Sequence, residues 1–345
     1  MEFLTPEVAK EFEEYMANHP NGSFMQSTKW AKVKNTWDST GVISRGIDGE
    51  IKGAVHIIYQ TVPVFGTKFM YAPRGPICDF DDIETLKDLT KGIRELGEKL
   101  GAHAFKCDPD FLASDDKYID TFKSMGYEYF KGGLNFETIQ PRFNYRLFLN
   151  GRNEDELFAN LTQKTRYNCR VAMKKGVEIK ICGKDMLDDF IRIMSVTGER
   201  DGFNIRPKWY FEQFLDAFGD KVRLYMAFYN GEPISGAITT QYAGKTCYVY
   251  GASDNAHRNV MPNYLIQWEM IKWAIEGNST VYDFQGVSGD LSEDNPLYGL
   301  YRFKKGFNGD LTELAGEFEI VFKPVVNKAI NAGVNVREKI NKIKK

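Results

Sequence analysis

Asp108 is the first aspartate of the run FKCDPD, with Pro109 directly behind it. A carboxylate at the C-terminal end of a strand points to where open α/β sheets place their ligands. The same position suits an aspartate that caps the next turn. Lys34 sits in WAKVKNTW, between Trp30 and Trp37, and reads as a surface lysine unless an anion lies nearby; the two tryptophans read as core packing. Arg206 and Tyr210 flank a proline-initiated helix in NIRPKWYF. From Arg142 to Lys180 the cations Arg142, Arg146, Arg152, Lys164, Arg166, Arg170, Lys174, Lys175 and Lys180 meet few acids. That local basic face is either solvated or a contact to a phosphate backbone. The passage SGDLSEDNPLYGLYRFKKGFNGDL, rich in Gly, Tyr, Phe and Lys, reads as a binding loop.

Other chemistry lacks its signatures. HExxH, GxSxG, GxxxxGK[ST] and a post-strand GxGxxG are all absent. The four histidines are scattered and the five cysteines show no CxxC or zinc spacing, so no metal is expected, and the cysteines read as reduced thiols of a cytosolic protein.

The elements that must carry these residues come twice. VRLYMAFY, Asn230-Gly231 and EPISGAITTQY form a predicted β-hairpin, echoed by GVISRGI, Asp48-Gly49 and EIKGAVHIIYQ. Each hairpin leads into a strand, a loop, a helix (about Ile83 to Leu100; about Asn263 to Glu276) and another strand. Two similar mixed α/β domains follow, as a length of 345 residues already suggests. Residues 1–145 with 311–345 are expected in the first domain and residues 146–310 in the second. The N-terminus reads as a helix capped at Thr5 with Pro6 at its first position. Residues 115–146 read as a helix and one long strand, and residues 154–175 as one helical region. The basic tail from Pro324 is open between a helix packed on the body, a membrane-surface contact and an RNA contact. A net charge of −2 argues against wholesale coating by nucleic acid, and no apolar run reaches the roughly 20 residues of a membrane span. No heptad run appears, so a monomer is expected.

The strand, loop, helix order of each half resembles the acetyltransferase (GNAT) fold. Its coenzyme A cradle is expected to be missing: the second loop, DNAHRNVMPNY, has no glycine, and Pro76 removes a donor amide from the first. WAKVKNTW, YAPRGPI, FKCDPD, KTRYNCRVAMKKGVE, the Tyr-Gly-Ala-Ser strand end, YDFQGV and FKKGF, in that order, resemble the Fem (FemABX) family of aminoacyl-tRNA-dependent peptidyltransferases. The resemblance implies an aminoacyltransferase with two tandem GNAT-like domains and no cofactor. It would add alanine, serine or glycine to the side-chain amine of the third stem-peptide residue of UDP-MurNAc-pentapeptide or lipid II. Met186 to Phe218 has room for ordinary helices only, so the chain is similar to the short form without a coiled-coil arm.

Site roles follow from the same resemblance. Lys34 and Arg206 match a phosphate-clamping pair, for which a lysine and a forked guanidinium are suited. Tyr210 and Tyr250 match aromatic contacts to the precursor, and Trp37, Arg74 and His103 are placed on the same substrate side. Asp108 matches an aspartate near the attacking amine, and Phe303 and Lys304 match residues near the tRNA end and the reacting ester. Lys164, Arg166, Arg170, Lys174 and Lys175 are the cations expected to contact tRNA. The basic tail would allow a peripheral contact with the inner membrane surface.

Overall fold

The computed structural model describes residues 1–343, with side chains as far as Gly333. Two mixed sheets carry the chain. The first uses β1 (Glu2–Phe3), β2 (Asp38–Arg45), β3 (Ile51–Val62), β4 (Thr67–Ala72), β5 (Ile77–Cys78), β6 (Ala102–Cys107) and β7 (Glu128–Phe130). The second uses β8 (Phe143–Phe148), β9 (Glu178–Cys182), β10 (Val222–Tyr229), β11 (Glu232–Tyr242), β12 (Lys245–Ser253), β13 (Val281–Gly286) and β14 (Asp310–Glu313). The chain then returns to the first sheet as β15 (Glu317–Val321). The orders are β1-β2-β3-β4-β6-β15-β7, with β5 on β3, and β14-β8-β13-β12-β11-β10-β9.

Both units repeat one plan. The β2–β3 and β10–β11 hairpins turn at Gly49 (φ 84°) and at Asn230 (φ 51°) and Gly231 (φ 83°), left-handed positions that glycine and asparagine accept. A third antiparallel strand follows, then a crossover helix (Ile83–Leu100 or Pro262–Glu276), then a strand parallel to the third, β6 on β4 or β13 on β12. Asp82 caps the first of these helices by accepting from the Thr85 amide, and Gly101 ends it in the left-handed region.

Each crossover helix covers its own core, but a third core belongs to both units. Phe12, Met16, Phe24, Trp30 and Val33 of the N-terminal segment pack with Phe190, Phe211, Phe214 and Phe218 of the Leu187–Asp201 and Lys208–Phe218 helices. Ile43 and Ala54 of the first sheet and Leu224 and Ile238 of the second complete it. The N-terminal helices, expected in the first domain, thus form a layer shared by the two.

Several expected elements differ for local reasons. The first helix is Ala9–Asn18, because Glu2 and Phe3 pair with β2 and the chain must turn before it can coil. The long strand is broken: β7 joins the first sheet and β8 the second, with Gly132 (φ 79°) and Pro141 between them. The 154–175 region is two helices, Glu154–Asn160 and Gln163–Lys174, because Thr162 starts a second cap. FKKGF lies at the end of a helix, Tyr298–Lys305, rather than in a loop. The tail is helical from Pro324 to Ile343, and Asn327 ties its first turn to Glu319. No described helix is long and apolar enough to cross a membrane.

A buried ionic network joins the units. Arg146 of β8 holds Asp110 of the first unit with two parallel bonds, 2.8 and 2.9 Å, and its Nε donates to Asp283 of β13 at 2.9 Å. Lys245 of β12 reaches the same Asp110 at 3.3 Å and the Gly22 carbonyl at 3.0 Å. Burial opposes the Asp110 charge, yet Arg146 and Lys245 hold its carboxyl well below the usual range. Arg146→Ala leaves two buried carboxylates without their forked partner and should cost about 3–5 kcal/mol. Urea unfolding measures this; a loss under about 1 kcal/mol would mean the network does not hold the units together.

Candidate functional site

β12 and β13 pair only from Lys245↔Val281 to Cys247↔Asp283, whereas β12 continues along β11 to Ser253. The two parallel strands therefore part beyond Asp283. A bulge at Val249, between the Tyr248↔Thr239 and Tyr250↔Ile238 pairs, turns Tyr248 and Tyr250 toward different neighbours.

Lys304 fills the base of that fork. Its Nζ donates to the carbonyls of Phe284 (2.6 Å), Gln285 (3.2 Å) and Gly286 (2.8 Å) and lies 6.0 Å from the Tyr248 ring centroid. Three converging carbonyls require a bent strand end. Gln285 supplies the bend at φ 62°, fixed by its amide donating to Asp283 Oδ1 at 2.6 Å. Burial lowers the Lys304 amine to about 7, with Asp283 acting in the opposite direction. Phe303, its neighbour, packs against Tyr264 (5.1 Å) and Phe307 (5.5 Å) in the second unit's core.

Asp108 stands at the end of β6 with both oxygens engaged. Tyr71 Oη donates at 2.5 Å and the Arg74 amide at 2.6 Å. Burial raises its carboxyl to about 6, with Arg74 pulling the other way. It is therefore a turn-fixing aspartate and a carboxylate that titrates near neutrality. The Arg74 guanidinium donates to the Pro141 carbonyl at 2.7 Å, and Arg74 shares a small cavity of about 20 Å³ with Gln285, Asp283 and Asn144. A larger depression of about 820 Å³ borders Asp110 and Arg146 too, but Lys34, Asp108, Arg206, Tyr210, Tyr250 and Lys304 do not line it.

The two cations expected to clamp a phosphate meet at one aromatic pair. Lys34 Nζ lies 5.3 Å from the Tyr210 ring centroid and 5.0 Å from that of Trp30, and the Arg206 guanidinium lies 5.5 Å from Tyr210. Tyr250 donates to the Tyr210 hydroxyl at 2.9 Å. Among the described residues neither cation has a carboxylate within salt-bridge distance. Burial and the Arg206 charge lower the Lys34 amine to about 8. Two close cations without a counter-charge are suited to hold an anion.

Trp37 and His103 lie elsewhere, in an aromatic row on the first sheet. Trp37 meets Phe69 edge-on at 6.3 Å, and Phe69 stacks on His103 at 5.8 Å and on Tyr71 at 6.5 Å. The row thus ends on the hydroxyl that holds Asp108. His103 Nδ1 is buried without a partner in the structure. Of the basic residues, Arg166 donates to the Ala159 and Leu161 carbonyls and the exposed Lys175 to the Asn259 carbonyl, the exposed Arg170 covers the Phe158 ring at 5.5 Å, and Lys164 and Lys174 are exposed. Tyr248, Asp283 and Gln285, which shape the fork, were not singled out from the sequence; the YDFQGV motif was the signal that held two of them.

Two units of hairpin, strand, crossover helix and parallel strand define a tandem GNAT-type fold. The tandem GNAT protein from the clavulanic acid biosynthesis pathway matches with a TM-score of 0.57 at 12% identity, over 93% of this chain and 98% of that one, a likeness of fold. The sequence profile of the FemAB family matches residues 8–232 and 229–334, and the chain belongs to that family. The crystal structure of FemX matches with a TM-score of 0.88 at 27% identity, over 96% of this chain and 100% of that chain. The lipid II:glycine glycyltransferase of Staphylococcus haemolyticus (strain JCSC1435) is 28% identical over 408 residues, covering 97% of this chain and 96% of its own. That of Staphylococcus aureus (strain USA300) is 28% identical over 410 residues, with the same coverage of 97% and 96%. An alignment of 408 positions exceeds this chain's 345 residues, so these relatives carry inserted segments that it lacks. Between Met186 and Phe218 it has helices of 15 and 11 residues.

The Lys34 charge sets a pH limit on anion binding. Its folded value of about 8 lies below that of a free lysine, so the unliganded cation is lost as pH rises past about 8. The KM for a diphosphate-bearing acceptor should rise between pH 8 and about 9, and Lys34→Arg, always charged, should flatten that rise. An unchanged alkaline limb in Lys34→Arg would remove Lys34 from the anion site.

Proposed function

We propose that the protein is an aminoacyltransferase that moves glycine from glycyl-tRNA to the side-chain amine of the third stem-peptide residue of a diphosphate-linked peptidoglycan precursor, beginning an interpeptide bridge. The observation that carries this reading is the pair Lys34 and Arg206 around Tyr210 and Tyr250, a diphosphate site on the same splayed strand, β12, that touches Lys304 through Tyr248. UDP-MurNAc-pentapeptide and lipid II share the diphosphate. The names of the two relatives favour lipid II and glycine. A lipid-borne acceptor would bring the chain to a membrane surface, where the basic tail helix offers a peripheral contact. We take the protein to act as a monomer.

In this reaction the amine nitrogen bonds to the glycyl carbonyl carbon, the ester C–O bond breaks, and the tRNA ribose oxygen leaves with a proton. A lysine-like ammonium has an ordinary pKa of about 10.4 and must shed a proton first. Asp108, ionised above about 6, orients that ammonium at the end of the aromatic row. Lys304 fixes the fork against which the ester lies. Releasing the longest of its three bonds, the 3.2 Å contact to Gln285, frees one N–H for the developing oxyanion. The ester is already activated, so positioning supplies much of the acceleration.

Acetyl transfer from coenzyme A fits less well. Asp82 occupies the start of the first crossover helix with its own carboxylate, and Pro262 opens the second without an amide. The deciding assay offers tRNA charged with glycine, alanine or serine to lipid II and to UDP-MurNAc-pentapeptide, and reads the acceptor by mass spectrometry. We expect one added glycyl residue on lipid II. Gain on the nucleotide alone would reassign the acceptor, and no gain on either would reject the reading. In the same assay Asp108→Asn should lower kcat about tenfold and Lys304→Ala about 100-fold or more. The reverse order would overturn the two roles.

A further inference from the structure

The Gln163–Lys174 helix buries Thr165, Asn168, Cys169 and Ala172 against the second unit. At 100° per residue its outward row is therefore Gln163, Tyr167, Arg170 and Lys174, spaced i, i+4, i+7 and i+11, with Lys164 at the edge one turn before Tyr167. Tyr167 is 64% exposed. Neither its ring nor its hydroxyl meets another described side chain in a ring contact or hydrogen bond. Tyrosine is a poorer helix former than alanine, so helix propensity alone does not account for the ring. Lys164, Arg170 and Lys174, none with a carboxylate partner among the described residues, lie around it, and Arg170 also covers the Phe158 ring at 5.5 Å.

The row leads to the fork. Thr162, the cap of this helix, donates its amide and its hydroxyl to the Gly306 carbonyl, at 3.1 and 3.0 Å. Gly306 is two residues beyond Lys304. The helix is about 18 Å long, so a strand tracking from Lys174 to Lys164 reaches the Lys304 helix without leaving the protein surface. Lys174, Arg170 and Lys164 suit its phosphates, and a free aromatic face suits an unpaired base, because stacking is indifferent to sequence.

We propose that Tyr167 is a base-stacking residue for the unpaired 3′ end of the donor tRNA, with Lys164, Arg170 and Lys174 as its phosphate contacts. The proposal rests on the reading that the acyl donor is an aminoacyl-tRNA. It also narrows the basic face: Arg166 and Lys175 each already donate to a backbone carbonyl and lie off the Tyr167 row.

The test is fluorescence anisotropy with uncharged tRNA, and with two RNA hairpins of one stem sequence, one blunt and one bearing a short single-stranded 3′ overhang, across a KCl series. Tyr167→Ala should weaken binding of tRNA and of the overhang hairpin by about tenfold and leave the blunt hairpin unchanged. Tyr167→Phe, which keeps the ring, should bind as the parent does. The slope of log K against log[KCl] should be unaltered by Tyr167→Ala and reduced by about one by Arg170→Ala or Lys174→Ala. Equal binding of tRNA by Tyr167→Ala and the parent, or an equal loss on the blunt hairpin, would overturn the stacking role while leaving the transferase reading intact. A parent protein that binds no tRNA and transfers nothing would overturn both.

Discussion

Among the described residues, Arg146 alone pairs with one carboxylate from each unit. A buried guanidinium is tolerable only when its donors are matched, and here the fork faces Asp110 and the Nε faces Asp283. The pairing has consequences beyond holding the units together. Asp283 shares its second oxygen with the Gln285 amide, the Gln285 bend aims three carbonyls inward, and those carbonyls seat Lys304. Asp110, two residues beyond Asp108, fixes the same turn whose other aspartate receives the Arg74 amide. One ionic contact thus sets the relative position of the carboxylate and the ammonium assigned to the chemistry.

Around that contact the charges fall into two kinds. Those in the network are matched and strongly held. Lys34, Arg206, Lys304 and Asp108 are not matched by a full counter-charge, and burial moves the Lys34 and Lys304 amines down and the Asp108 carboxyl up. Keeping Lys34, Lys304 and Asp108 buried costs folding free energy, since burial penalises the charged form of each. Lys34 and Arg206 gather at Tyr210, Lys304 sits against the end of β13, and Asp108 follows β6. Backbone geometry agrees: strands that separate leave room for an extended substrate, and the bulge at Val249 lets one strand serve both the anion site and the Lys304 fork.

The duplicated plan was legible because its signals are local. Asp-Gly and Asn-Gly fix their hairpins by backbone preference alone, and the Ile83–Leu100 helix carries both of its caps in the sequence. Lys34, Arg206, Tyr210 and Tyr250 could be grouped only through the family resemblance. What stayed hidden was long-range. Arg146 lies 36 residues from Asp110 and 137 from Asp283, and nothing in either neighbourhood marks the pairing. The Phe143–Phe148 run alternates in a way that fits a strand in either sheet, so the switch between sheets at Gly132 to Pro141 is not legible. The FKKGF helix reads as a loop because glycine and aromatic residues outweigh its short periodicity. Lys304 was placed near the ester by motif, but its three carbonyl partners depend on a left-handed Gln285 that no sequence rule anticipates.

The account stands or falls on whether the ionic network positions Lys304. A double-mutant cycle on the transfer kcat, using Arg146→Lys and Lys304→Ala, measures this directly. Lysine keeps the charge at Arg146 but loses the fork. The expected result is a clear loss of kcat for Arg146→Lys in the parent and almost none in the Lys304→Ala background, because the network would then have nothing left to position. Losses that simply multiply would show that Arg146 and Lys304 act independently, and would contradict the link between the joint of the two units and the fork.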